Sequence, residues 1–318
     1  MKAVLLGAVG GAGRLQYQTG DSPTTLPPLH VLVRVHASGV NPLDIQSRRG
    51  DYAHSVGLPL ILGSEASGVV EAVGEGAGNI GAGDEVFYMT PLLAGAGTYA
   101  EQHVVPAAVV VRKPNTLTHV EAAALPLAAG TAWQCLFERG RISPGNSVLI
   151  HAGAGGVGSL AIQMATISGA RVLTTCRPPN ESLVRELGAS HAIDYKTTDF
   201  VAETLSLTDG RGVDVVIDTV GGVTFKRSIE CLASGGRLVS IVDHDQPHNL
   251  LNAYSKNAAL HFVFTSPDAA RLATIATLVE RGQLRPVISA ELPLQAAAEA
   301  HRRIESGGVR GKIVLRVD

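Results

Sequence analysis

Hydrophobic positions along the chain fall into two textures. In the first third, short apolar or alternating runs stand between turn residues: Val31-Leu32-Val33-Arg34-Val35 after Pro23, Pro27 and Pro28, then Gly68-Val69-Val70-Glu71-Ala72-Val73 and Asp84-Glu85-Val86-Phe87. Such runs, bounded by Gly and Pro, predict an antiparallel β-rich unit. From Val120 onward, longer helical patterns alternate with short β runs at Ser147 to Ile150, Arg171 to Thr175, Asp214 to Asp218 and Arg237 to Val242. That alternation predicts a parallel sheet with right-handed crossovers. A helix over Glu181 to Leu187 is expected to stop at Gly188, a left-handed C-cap, and the chain re-enters the sheet through His191-Ala192-Ile193-Asp194-Tyr195. Helices are predicted again over Ala269 to Glu280 and Gln295 to Ile304, and a last strand over Lys312 to Val317. Leu272, Ile275, Ala276 and Val279 recur at helical spacing and are expected to face a core.

One stretch adds chemistry to this pattern. Gly153-Ala154-Gly155-Gly156-Val157-Gly158 follows the apolar strand ending Ile150-His151 and opens the apolar run Leu160 to Ile167. Strand, glycine turn and helix in that order suit a nucleotide pyrophosphate: the bare backbone approaches the phosphates closely, and the helix N-terminus offers unpaired N–H groups and a positive dipole end.

Composition narrows the picture. At 318 residues the chain exceeds the usual size of one core, so two domains are expected. With 45% hydrophobic residues and a net charge of -2 it has ample core and no strongly basic nucleic-acid face. The expected partners are a small-molecule substrate and a second copy of the chain in a homodimer, with neither nucleic acid nor membrane. Cys135, Cys176 and Cys231 are far apart and form no CxxC pair, which points to a reducing compartment and against a disulfide framework or a cysteine zinc cluster. Met1 to Leu6 dissolves into Gly7, Gly10, Gly11 and Gly13, as a first strand does and a secretory signal does not. With no apolar run long enough to span a bilayer, a cytoplasmic location is expected.

Val40-Asn41-Pro42-Leu43-Asp44, Gly83-Asp84-Glu85-Val86, the glycine turn and Gly311-Lys312-Ile313-Val314-Leu315 stand in an order that resembles the medium-chain dehydrogenase/reductase superfamily over essentially the whole length. Within it, the zinc-independent quinone oxidoreductase branch is the most similar. The resemblance implies an α/β fold: a GroES-like catalytic domain over residues 1–122, a Rossmann domain over 123–264, a return to the catalytic domain over 265–318, and an active site in the cleft between domains. Zinc-dependent relatives carry a cysteine where this chain has Asn41 and a histidine where it has Ser64, and add a four-cysteine lobe that is missing here. His244 and His248 have ligand-like spacing but sit in a polar loop, so no metal is expected.

Without a Lewis acid, reduction of a conjugated acceptor fits better than alcohol oxidation, because hydrogen-bond donors stabilise the developing oxyanion and a weak acid quenches it. The resemblance places Asn41 and Asp44 at the active site and makes Tyr52 the suspected proton donor. Read from the residues alone, Tyr52 is equally a loop tyrosine packing its ring, Asp44 a partner of its own loop backbone, and Arg48 and Arg49 a solvated face. Gln46 stands where the family commonly has a second tyrosine.

The second Rossmann strand ends in Cys176-Arg177, with no carboxylate for ribose hydroxyls, and an arginine can grip an extra phosphate. NADPH is therefore the expected cofactor. The expected contacts are Gly153, Gly155, Gly156, Val157, Gly158, Cys176 and Arg177, with Tyr195 beside the phosphate, Thr131 opening the helix toward the nicotinamide, and Lys312. Leu92, Leu93 and Phe264, the expected pocket lining, are generic apolar types that leave the substrate open. Three readings follow: a quinone or α,β-unsaturated carbonyl reductase, an enoyl thioester reductase, and a non-catalytic cofactor-binding protein such as the lens crystallins of the same branch.

Overall fold

The computed structural model describes residues 1–52, 57–91, 97–242 and 250–317, so His244, His248, Leu92 and Leu93 lie outside the described residues. The chain divides into two compact units, one of Met1–Gly130 with Ser266–Asp318 and the other Thr131–Thr265.

The first unit is built on the strand His30–Val40. It pairs antiparallel with Glu65–Val73, with Gln102–Pro106 and with Lys312–Arg316, so the end of the chain returns to the centre of the sheet formed by its beginning. Alternate residues Val31, Val33 and Val35 enter a core with Val86, Tyr88, Ile313 and Leu315. Each such side chain contributes about 1.5–3 kcal/mol when fully buried. The apolar alternation stops at Val35, yet the strand continues to Val40, because small Ala37, Ser38 and Gly39 keep it buried where the backbone meets Glu65. Lys2–Leu6 is a strand, as its pattern predicts, paired with Leu15–Thr19 in a small second sheet. The helix Ala269–Glu280 belongs to this unit and buries Leu272, Ile275, Ala276 and Val279 as expected.

The second unit is a parallel sheet of six strands in the order His191–Asp194, Arg171–Cys176, Ser147–Ile150, Val213–Asp218, Leu232–Ser240, Ala259–Phe262. This is the doubly wound dinucleotide-binding order, whose switch point lies between Ser147–Ile150 and Val213–Asp218. Gly188, at φ 112, ends the helix that precedes the edge strand. Among the described residues no helix is long and apolar enough to cross a membrane.

Candidate active site

At the switch point the strand Ser147–Ile150 runs into the glycine turn and then the helix Gly156–Ile167, with Gly155 as its N-cap. A Cβ on Gly153 would collide with Thr174 Oγ1, and one on Gly158 with the carbonyl of Ala152. These glycines are therefore required by close approach of turn, helix and neighbouring strand. The result is a cradle of backbone N–H groups at a helix N-terminus with half-buried Val157 beside it, which fits a dinucleotide pyrophosphate.

The strand Arg171–Cys176 ends beside the strand His191–Asp194. Cys176 is buried, and burial pushes its thiol above the usual range. Arg177 is exposed and donates from Nε to Tyr195 Oη at 3.1 Å. The Lys196 ammonium lies 5.4 Å from the centre of the Tyr195 ring. Arg177, Tyr195 and Lys196 thus form a cationic corner at the carboxyl ends of two strands, and Lys196 is a member the sequence reading missed although it adjoins Tyr195. Phe264, expected to line a pocket, is 58% exposed.

Thr131 is corrected. It lies inside the helix Pro126–Trp133 rather than at its opening. Pro126 supplies the fixed φ that suits a first turn, so the helix starts earlier and runs through Gly130.

In the first unit the helix Pro42–Arg49 starts at Asn41 and ends at Gly50, whose φ is 100. A buried polar cage forms around its first turn. The Lys312 ammonium donates to the Val40 carbonyl at 2.9 Å and to Asn41 Oδ1, and pairs with Glu65 Oε1 at 2.8 Å. Its three donors are used. Lys312 therefore faces inward and holds Asn41, where the sequence reading expected a cofactor contact. Asn41 Nδ2 donates to Glu65 Oε1 at 2.9 Å, and Glu65 Oε2 accepts from the Leu127 backbone N–H at 2.7 Å. The orientation of the Asn41 amide is thereby fixed, with its oxygen on the ammonium and its nitrogen on the carboxylate.

Asp44 adjoins this cage. It accepts from the Asn41 backbone N–H at 2.9 Å, from Ser64 Oγ at 2.6 Å and from Tyr99 Oη at 3.2 Å. Burial raises its carboxyl to about 6 against the pull of those bonds. Tyr99 Oη also meets His301 Nε2 at 3.2 Å. Burial, and then the charge of Arg48, lowers His301 to about 3. Arg48 is not on a solvated face: it is 1% exposed and pairs with Glu305, whereas Arg49 is exposed and pairs with Asp51. Tyr52 is half-buried just past the helix, and its phenol is held above its ordinary value by burial and then by Asp51, which keeps the proton on it.

Glu65, Tyr99, His301 and Arg48 thus join Lys196, Thr131 and Lys312 as residues the sequence reading missed or misplaced. Glu65 carried a signal, being a lone carboxylate at the head of a buried run, but the partnership of Tyr99 with His301 spans 202 positions and leaves no local trace. Asn41 and Ser64, at the positions of zinc ligands in metal-dependent relatives, are engaged with Lys312, Glu65 and Asp44. Among the described residues no group of three or more His, Cys, Asp or Glu is arranged to hold a metal ion. The donor set does not fit zinc.

Comparison with known proteins agrees with both units. Residues 27–115 match the alcohol dehydrogenase GroES-like domain family, and residues 187–315 the zinc-binding dehydrogenase family. Quinone oxidoreductase of Rattus norvegicus is 31% identical over 99% of this chain and 97% of its own. A solved NAD-dependent alcohol dehydrogenase is 34% identical with a TM-score of 0.94 over all of both chains. A mycobacterial protein solved with NADPH is 30% identical with a TM-score of 0.89 over 99% of both chains. The β-rich unit is accordingly GroES-like and the parallel sheet a Rossmann fold, and the chain belongs to the medium-chain dehydrogenase/reductase superfamily, in its quinone oxidoreductase-like branch, as an oxidoreductase that works with a nicotinamide cofactor.

Proposed function

We propose that this oxidoreductase reduces quinones or α,β-unsaturated carbonyls with NADPH and without zinc. The observation that carries the reading is the Asn41 amide clamped between Lys312 and Glu65 at a position where a metal ligand would otherwise stand. The name of the rat relative, quinone oxidoreductase, points the same way. NADPH, when bound, supplies a hydride. Everything else falls to the side chains. As negative charge develops on the acceptor's carbonyl oxygen, donors held in fixed positions stabilise it without reorganising. Asn41 keeps one amide hydrogen beyond the one given to Glu65, and its orientation makes it a donor rather than an acceptor. Tyr52, with its proton held on, donates it to the α-carbon or oxygen that carries the negative charge once the hydride has been added elsewhere on the acceptor. Asp44 acts through Asn41 and Ser64 as a positioning residue.

The choice of NADPH over NADH is supported by the cationic corner of Arg177, Tyr195 and Lys196, with buried Cys176 where a carboxylate would repel a phosphate. The purified protein should be tested on quinones, 2-alkenals, cyclic enones and enoyl thioesters with each reduced cofactor. Quinones or enones should be consumed faster than enoyl thioesters, and NADPH should serve better than NADH. Exclusive turnover of a thioester would move the assignment to an enoyl thioester reductase, and no turnover with intact cofactor binding would make the chain a cofactor-binding protein.

A further inference from the structure

His151 stands between the first strand of the Rossmann unit and its glycine turn, is 1% exposed, and has every polar atom engaged. Its backbone N–H donates to the Ile217 carbonyl at 3.0 Å, and its carbonyl accepts from Thr219 Oγ1 at 2.9 Å. The ring packs edge-on against Phe200 with centroids 4.9 Å apart. Nδ1 lies 3.1 Å from Thr175 Oγ1, and Nε2 lies 2.9 Å from Ser228 Oγ.

The direction of each bond follows from the count of protons. Ser228 Oγ gives its only hydrogen to the Thr224 carbonyl at 2.6 Å, so it accepts from His151 Nε2–H. Nδ1 of the neutral ring is then an acceptor, and it takes the hydrogen of Thr175. Burial keeps the ring neutral by lowering His151 to about 3. With its hydrogen turned toward the ring, Thr175 Oγ1 presents a lone pair to the Ala152 backbone N–H at 3.1 Å.

Ala152 is the strained member of the turn. It is not glycine, yet its φ is 52, a left-handed conformation that is unfavourable for an L-residue. The turn is built around its carbonyl, which accepts from Gly155 N–H at 2.9 Å and against which Gly158 packs too closely for a Cβ. The attitude of Ala152 therefore sets where the N–H groups of the turn point.

We infer that His151 is a positioning residue for the cofactor: through Thr175 it holds Ala152 in its left-handed conformation and so keeps the glycine turn shaped for the pyrophosphate. The inference rests on the turn being the dinucleotide site and goes beyond it by naming what holds the turn. Because the pyrophosphate is common to both cofactors, the expected loss is the same for NADPH and NADH.

The test is calorimetric titration of His151→Phe, Thr175→Val and each combined with Ala152→Gly, using NADPH and NADH, with thermal unfolding of the cofactor-free proteins alongside. His151→Phe and Thr175→Val should each weaken both cofactors about tenfold, a loss near 1.4 kcal/mol. Ala152→Gly should restore most of it, since glycine takes a positive φ freely. Restoration of affinity without restoration of the unfolding temperature is the signature of positioning. Thr175→Val keeps the shape of the side chain and carries the test if His151→Phe fails to fold. Unchanged affinity in Thr175→Val, or a loss that Ala152→Gly leaves in place, would overturn the inference. A change in the ratio of NADPH to NADH affinity would also count against it, and is separate from the Arg177 reading, whose failure leaves the common loss untouched.

Discussion

The glycine turn presents backbone drawn from consecutive residues, Gly153 to Gly158, whereas the polar cage is made of side chains brought together from positions as far apart as Asn41 and Lys312, 271 residues away. In the turn, specificity comes from the absence of side chains, and a methyl in the wrong place meets Thr174 or the Ala152 carbonyl. In the cage it comes from charge kept out of water, with Glu65 fully buried and Lys312 nearly so. Backbone sites are encoded locally. Buried ions are tolerant of nothing, because each depends on its partner to offset the loss of hydration.

That contrast breaks most sharply at Lys312. Lys312→Met leaves Glu65 buried without its cation and should cost about 3–5 kcal/mol of stability in chemical unfolding. Adding Glu65→Gln should recover much of the loss, since no charge then remains uncompensated. A single variant as stable as the wild type would show that the cage is hydrated and not a fixed scaffold for Asn41.

Next in size is Tyr52→Phe, which probes the catalytic unit alone. Removing a proton donor is felt in the transition state, so enone turnover should fall on the order of 10²-fold or more with little change in KM. Quinones should suffer less, because their reduced product is a stabilised aromatic hydroxylate that solvent protonates. Equal turnover of enones by the variant would return Tyr52 to ring packing.

On the cofactor side, Arg177→Ala should weaken NADPH by about one to two decades, the worth of a charge-assisted contact of about 1.5–3 kcal/mol, and leave NADH nearly unchanged. Equal losses would place the reading of the phosphate elsewhere.

The smallest effect concerns Asp44, raised by burial to about 6 in the folded protein from the ordinary carboxyl value of 3.8. Between those values the folded state binds the extra proton, so this group's contribution to stability is full at low pH and is lost as pH rises through about 6. Relative to Asp44→Asn, the wild type should gain about 1 kcal/mol between pH 7 and pH 5 in parallel unfolding titrations. A flat difference would mean the carboxyl titrates at an ordinary value.

The difference in encoding also explains what the sequence revealed. The glycine turn, the alternation of strand and helix and the place of Arg177 at a strand end were legible because period, punctuation and end-of-strand chemistry are local. Asn41 and Asp44 were legible as a motif, but the identity of their partners was not: Glu65 meets Asn41, Tyr99 meets Asp44 and His301 meets Tyr99 only after the strands His30–Val40 and Glu65–Val73 and the helix Ala297–Glu305 are in place. Arg48 read as solvated because two adjacent arginines give no local sign that one turns inward to Glu305. Thr131 was misplaced for a different reason. It was expected to open a helix, yet a helix already begun at Pro126 runs through Gly130 and absorbs the modest cost of one glycine.

Metal-free hydride transfer from NADPH to a conjugated acceptor is tested by the loss of reduced-nicotinamide absorbance when a small quinone or 2-alkenal is added to exhaustively chelated protein. Steady oxidation of NADPH, slower oxidation of NADH and no response to added zinc are expected. Oxidation that disappears on chelation and returns with zinc would contradict it.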